Sequence, residues 1–483
     1  MSLLARFSFG TLLIGGTALA TTYPVGPTRT YHSPCALAGA VALQPGDIIE
    51  VDAGTYTDAC QLTASGTVQA PIVMRGVAGP RPVFDATGIE LSGSGSVPRA
   101  IFQFTNGSYW QVSHLELTHA ANASNNGSGF RLTAGAHDVT FSDMSIHDNH
   151  NGAQSDGPAV VTIENSDIYA NGANDGQSHN LYLQGDVVRL IGNHIHDSRG
   201  GQNIKLRTRY VEIIGNDVEN AGNYEVDLIQ GPSTSMPNAN AVLIGNVFVR
   251  ATTADNNSQT ILFGTDNPAD ATPSRNGALY AIGNTFVLRN GSNQLFHVLT
   301  STPVPSATHV YLFDNIVYAT VAGTRLTTDA ATSAYVTGSN NWIADGIAGI
   351  PAALTATIGG GSPGFAGPDD YHLAPGSPAV DVGLLQPQYM DGGGAPRSGT
   401  PMVQVTPPIG TEPRFVVGAG LDLGAFELGN TPPAGDSAGL GDSGMPTGGT
   451  GGGGCCEIDG GAAPSAWLWL CVAARLVWRR RRV

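Results

Sequence analysis

The residues with the clearest chemistry lie between His179 and Gly231, a stretch that reads SHNLYLQG, GQNIKLRT and NYEVDLIQG, each followed by a short apolar run. Lys205 stands at its centre and is the sole lysine among 22 basic residues. An ammonium can lose its proton near neutral pH, whereas a guanidinium effectively cannot. A lysine grouped with a tyrosine, an arginine and two carboxylates suits proton abstraction beside a carboxylate, followed by stabilisation of the enolate-like charge. That chemistry is β-elimination from a uronate. Lys205 is the expected base, and Tyr182 or Arg207 the expected acid. Glu225, Asp227 and Asn203 offer oxygens, which suit Ca²⁺ as the expected cofactor. His179, Asn180, Gln184, Arg131 and His297 complete the expected substrate-binding set. One tension is built in. Two nearby carboxylates raise the pKa of a lysine unless a cation neutralises them, and without the cation Lys205 reads as a clamp for the substrate carboxylate.

These residues need a scaffold that repeats. An apolar pair, Gly-Asn or a variant, and a second apolar position recur as LIGNHI, IIGNDV, LIGNVF, AIGNTF and LFDNIV. The second apolar position falls at Leu117, Ile146, Ile168, Ile195, Val218, Phe248, Phe286, Val317 and Ile343, with 22 to 38 residues between neighbours. Each unit holds short alternating strands and no helix long enough to cross over a sheet. Parallel strands of one flat sheet need such crossovers, so the chain must coil. The expected fold is all-β, a single-stranded right-handed parallel β-helix with an N-terminal helical cap around CALAGA and a first strand after the PGD turn. Asn193, Asn216, Asn246, Asn284, Asn315 and Asn341 would stack as an internal ladder. His194 and His196 flank such a turn and read as turn or surface residues. No Cys/His spacing resembles a zinc site. Insertions at 232–240 and 265–277 enter at turns.

In that frame Leu181, Leu183, Ile204, Leu206, Val226 and Leu228 face the core. Alternation then sends Tyr182, Lys205 and Asp227 outward in one column. The column extends to Arg131 on one side and to Leu262 and His297 on the other. Asn180, Asn203 and Glu225 are expected as a second outward column, and Gln184, Arg207 and Ile229 as a third.

Composition agrees with a long β-chain: 65 glycines and only 12% charged residues. The net charge of −16 argues against nucleic acid as a partner. Arg189, Arg199, Lys205, Arg207 and Arg209 nonetheless concentrate positive charge locally, which suits one anionic group of a ligand. Residues 1–20 read as a signal peptide, 21–429 as the β-helix domain and 430–454 as a flexible linker. Within the domain, 21–100 are the cap and first coils, 101–345 further coils and 346–429 a closing segment in which Asp381, Asp422 and Glu427 are structural. Residues 455–483 carry Cys455-Cys456, an apolar run and an arginine block. Cys35 and Cys60 remain for the exported body, where a disulfide is permitted. The expected location is outside the cell, anchored at its surface, with membrane contact only through the tail. The chain is expected to be a monomer, because a coil of this length buries its own core.

The tail resembles the myxobacterial C-terminal sorting signal, which implies processing and anchoring through Cys455 or Cys456. The stretch around Lys205 resembles the β-helical polysaccharide lyases, and loosely the alginate lyase/chondroitinase B family, which places a Lys base and an Arg on neighbouring coils near Ca²⁺. Lys205 maps onto that pattern. Asp227-Leu228-Ile229 stands where that family's Arg would be. A series in secreted bacterial β-helix proteins, H-N-I-Y, G-H-N-I-K-x-R and I-D-L-x-x-G, is also similar, with Gln202 in place of its His. The resemblance implies an acidic polysaccharide as partner and a lyase as the activity. Glycoside hydrolysis on the same fold and a non-catalytic carbohydrate-binding adhesin remain alternatives.

Overall fold

The computed structural model describes residues 20–252, 259–291 and 293–432. The expected leader up to residue 19 and the tail from residue 433, with Cys455 and Cys456, lie outside the described residues. Among those described, strands fill two parallel sheets of 21 and 12 members, and two short antiparallel hairpins follow them. The architecture is the right-handed parallel β-helix, each coil carrying three faces. The strands Asn151–Ser155, Val160–Glu164 and Asp167–Tyr169 are the three faces of one coil. The first two faces count as one sheet because Leu181–Ile191 and Ile204–Ile214 run through the corner between them. Gly185 makes that corner with a φ of 148°, and a Cβ there would meet the carbonyl oxygen of Ala159 at 2.5 Å.

The nine apolar marker positions pair in one unbroken register along the twelve-stranded sheet, and all are buried. Asn193, Asn216, Asn246, Asn284, Asn315 and Asn341 form the expected ladder. Each Nδ2 donates to the next Oδ1 at 2.8–3.0 Å. The residue just before each of these asparagines sits in the left-handed region: Gly192, Gly215, Gly245 and Gly283, but Asp314 and Asn340 later on. The glycines have a second reason. A Cβ on Gly215 would meet Thr411 at 2.7 Å and one on Gly283 would meet Pro401 at 2.8 Å. The later part of the closing segment, Pro401 to Gly424, therefore covers the flank of the coil, while Leu373 and Ala379 earlier in it belong to the main core. That later part runs over these turns, with the Gly410 amide donating to the Gly192 carbonyl and the Gly424 amide to that of Asp314. Asp381, Asp422 and Glu427 do serve as structural acceptors there, and Glu427 pairs with the buried Arg414 at 3.1 Å.

The helix Pro34–Ala40 caps the coil with Ser33 as its N-cap, and Cys35 is bonded to Cys60 with a Cα–Cα distance of 5.5 Å. Closing a loop of that length contributes about 3 kcal/mol. One strand precedes the expected first one: Thr22–Val25 pairs in parallel with Ile48–Val51. Its four residues, TYPV, contain a proline and too few alternating positions to stand out.

Asn216 gives a direct test of the ladder. Its side chain accepts from both the backbone and the amide of Asn193 and donates to Leu190 and Asn246. Asn216→Ala strands these groups in a dry interior, and we expect a loss of about 2–4 kcal/mol in urea unfolding. An unchanged midpoint would mean that the ladder is not a source of stability.

Candidate functional site

Strand pairing aligns the expected column residue by residue. Gln61, Gln103, Arg131, Gln154, Tyr182, Lys205, Asp227, Leu262 and His297 follow one another across successive strands. Neighbouring members are therefore ~4.8 Å apart along the axis. Gln184 pairs beside Arg207 in the adjacent column. Ile229, expected outward in that column, is fully buried instead.

The other expected outward column is not on the surface. Asn180, Asn203 and Glu225 are fully buried and end a second internal ladder that begins at Asn149 and Asn171. These residues sit at the corner before their strands, where the outward sense of strand alternation does not apply. Glu225 terminates the ladder by accepting from Asn203 at 2.7 Å, from the Ala221 amide at 3.0 Å and from Arg250 at 3.2 Å. Burial raises its pKa and Arg250 opposes that rise. Asn203 and Glu225 thus leave the expected calcium set, since their oxygens are spent inside the coil. Asp227 alone does not fit a Ca²⁺ site, which takes six to eight oxygens, and no step is routed through the ion.

Around Lys205 the structure builds a charge network. Lys205 Nζ lies 3.0 Å from Asp227 Oδ2 and 3.5 Å from Asp266 Oδ2. Arg207 Nη2 reaches the same Asp266 oxygen at 2.9 Å, while its Nη1 donates to the Gln230 carbonyl at 2.7 Å. Gln230 donates to Asp266 Oδ1 at 2.8 Å and accepts from the Asp266 amide at 3.1 Å. Gln202 donates to Asp227 at 3.2 Å. Asp227 points outward in register yet is fully buried beneath these groups, and its second oxygen has no partner.

Burial lowers the pKa of Lys205, but Asp227 and Asp266 outweigh it and leave the group above its ordinary value. The raised value favours the ammonium, the form expected when no cation neutralises the two carboxylates, in which Lys205 clamps a substrate carboxylate rather than acting as a base. Asp227 is pushed up by burial against the pull of Lys205. Burial also acts to raise Asp266, but the Gln230 bond and the two cations prevail and hold it low.

The remaining expected residues divide. Tyr182 is next to Lys205 on the neighbouring strand, half-buried, with its ring edge-on to His179 at 5.5 Å. His179 is buried, and its Nδ1 accepts from the Gln202 amide at 3.1 Å. Burial and the nearby Lys205 keep it neutral. Gln184 is half-buried beside Arg207. Arg131 is tied to Gln154 at 2.6 Å and Asp156 at 3.0 Å, two strands from Tyr182. His297 lies at the far end with an unpartnered Nδ1, and burial lowers its pKa.

Asp266, Gln230 and Arg275 escaped the sequence reading. Asp266 arrives from the 265–277 insertion, 61 residues beyond Lys205. Arg275 anchors that insertion, donating to the carbonyls of Thr208, Arg209 and Ala239 at 2.7–3.0 Å. The available signal was an insertion with an Asp near its start and an Arg near its end beside a cationic strand.

No family model matches the chain, and no curated protein matches it. Among solved structures it is similar to an alginate lyase from Paenibacillus sp. str. FPU-7, at 18% identity and a TM-score of 0.46, over 66% of this chain and 98% of that one. It is also similar to pectate lyase Pel9A at 17% identity and a TM-score of 0.47, over 85% and 97% of the two chains. A rhamnogalacturonan lyase gives 14% identity and a TM-score of 0.46, over 67% and 87%.

Proposed function

We propose that this chain acts on an acidic polysaccharide outside the cell and cleaves it by β-elimination. The observation that carries the reading is the convergence of Lys205 and Arg207 on one carboxylate oxygen of Asp266, at 3.5 and 2.9 Å. That oxygen marks where a uronate carboxylate would be held. Neutralising a uronate carboxylate acidifies the adjacent C–H and stabilises the charge that builds up in the transition state. The C–H electrons form the C=C bond as the glycosidic C–O bond breaks, and Tyr182, one strand away, is assigned the transfer of the proton from that carbon to the leaving oxygen. The Cys35–Cys60 disulfide supports an oxidising location. Release of unsaturated uronate product from a panel of uronic-acid polymers, followed by ultraviolet absorbance, tests the reading.

A second reading rests on a specific pair. Asp227 and Asp266 are pushed in opposite directions, and both have an oxygen within 3.5 Å of the same ammonium. Two carboxyls held at ~5–9.5 Å with opposed proton affinities are the equipment of a glycoside hydrolase. Asp266→Asn separates the readings. For elimination, Asp266 is a stand-in that the substrate displaces, so its neutralisation should tighten uronate binding roughly two- to fivefold, the range of a partly exposed ion pair. Loss of cleavage in that variant, with new reducing ends and no unsaturated product in the parent, would establish hydrolysis.

A further inference from the structure

The twelve-stranded face carries a second cluster that the proposed reaction does not use. His194 and His196 occupy one strand, His194–His196, rather than a turn, and Asp167 lies on the preceding strand Asp167–Tyr169. His194 Nδ1 and His196 Nε2 both point at Asp167 Oδ1, each at 3.2 Å. The other nitrogen of each ring is held by a different carboxylate. His194 Nε2 lies 3.3 Å from Glu219, and His196 Nδ1 lies 2.7 Å from Asp197.

We propose that Asp167, His194 and His196 form a binding site for a zinc-like divalent cation, through Oδ1, Nδ1 and Nε2 respectively. Three features carry this. The first is distance: tetrahedral bonds of ~2.0–2.1 Å place neighbouring ligand atoms about 3.3 Å apart, and two of the three edges have that length already. The second is the outer partner on each ring. A metal-bound imidazole characteristically gives its remaining N–H to a carboxylate, which fixes the ring and its tautomer, and here both rings are so held. The third is placement. Two ligands lie two residues apart on a strand and a third on its hydrogen-bonded neighbour, and the three atoms already lie within 4.8 Å of one another. The rings are stacked at 3.8 Å and the stack continues onto Tyr169.

The donor set selects the metal. Two nitrogens and one oxygen suit zinc and its neighbours, whereas calcium and magnesium prefer oxygen alone. The Asp167 side chain is 31% exposed, which leaves a coordination position for water. Beside the cluster, Asp217 and Glu219 pair in register with His194 and His196 and open onto a cleft of about 620 Å³ with Arg289 and Tyr371 on its wall. Cysteine and histidine spacing alone did not expose this site, because its third ligand comes from another coil.

The test uses the full chain with its thiols alkylated, so that Cys455, Cys456 and Cys471 cannot bind metal. Calorimetric titration with Zn²⁺ should give one equivalent per chain, and Co²⁺ should give the visible absorption of a tetrahedral site that Zn²⁺ abolishes. His194→Ala and His196→Ala should each weaken binding by at least about tenfold. His147 stacks on the far side of Tyr169 at 4.8 Å and is not a ligand, so His147→Ala should bind as the parent does. If an alanine variant fails to fold, Asp167→Asn takes its place, since it preserves shape and removes the charged ligand. No saturable binding by the parent, or unchanged affinity in the ligand variants, overturns the proposal.

Discussion

Lys205→Ala is expected to lower cleavage of a uronate polymer by roughly 10²–10³-fold, the loss seen when one preorganised charge-stabilising donor is removed. Lys205 is expected to act as a cation, so Lys205→Arg should keep part of the substrate affinity. A base at that position would instead leave Lys205→Arg as inactive as the alanine variant. The alanine change also has a structural cost. Asp227 is fully buried and its oxygen nearest Lys205 is otherwise bonded only to Gln202. Breaking a buried pair by removing one partner costs about 3–5 kcal/mol. Lys205→Ala with Asp227→Asn removes both charges, so it should recover the fold and stay inactive. Recovery of activity in that double variant would contradict the role given to Lys205, and Lys205→Ala with parental turnover would do so outright.

A stability effect of similar size, with no link to catalysis, is expected at Arg250. Arg250 and Glu225 are both completely buried, and their ion pair ends the second amide ladder. Arg250→Ala leaves an uncompensated carboxylate in the core and removes a large side chain. A loss of about 3–5 kcal/mol should follow in denaturant unfolding. The compensating change is specific. Glu225→Gln would make the last rung an amide like those below it, and with Arg250→Met it replaces the pair by a neutral amide and an apolar chain. That double variant should lie close to the parent, because exchanging a whole buried pair for neutral groups is often neutral or stabilising. A double variant as unstable as Arg250→Ala would show that Arg250 acts through its shape and its other hydrogen bonds rather than through Glu225.

The column from Tyr182 to His297 was legible because a β-helix converts sequence period into strand register; Gln154, between Arg131 and Tyr182, was missed because its strand reads NGAQS and offers only Ala153 as an apolar inward residue. The Gly-Asn ladder was legible for the same reason. Asn180, Asn203 and Glu225 were misread because strand alternation was extended one residue too far, into the corner. The polar residue before Leu181, Ile204 and Val226 turns inward there and finds the next amide in the stack. Sequence placed Lys205 in its column and foresaw that nearby carboxylates would hold its proton, but not that one of them would be Asp266. Asp266 reaches the site from an insertion whose path no repeat dictates. The path of the later closing residues was not legible for a related reason: nothing in residues 401–424 says that they will lie over Gly192 and Gly283.

The central claim is that the Lys205–Arg207 cation pair serves the elimination of a uronate. Its most direct measurement is the ultraviolet absorbance of unsaturated product when the parent and Lys205→Ala are each incubated with the same panel of uronic-acid polymers. The account predicts rising absorbance with at least one polymer for the parent and roughly a hundredfold less or lower for the variant. Equal rates in the two proteins, or cleavage by the parent that yields reducing ends without the absorbance, would contradict it.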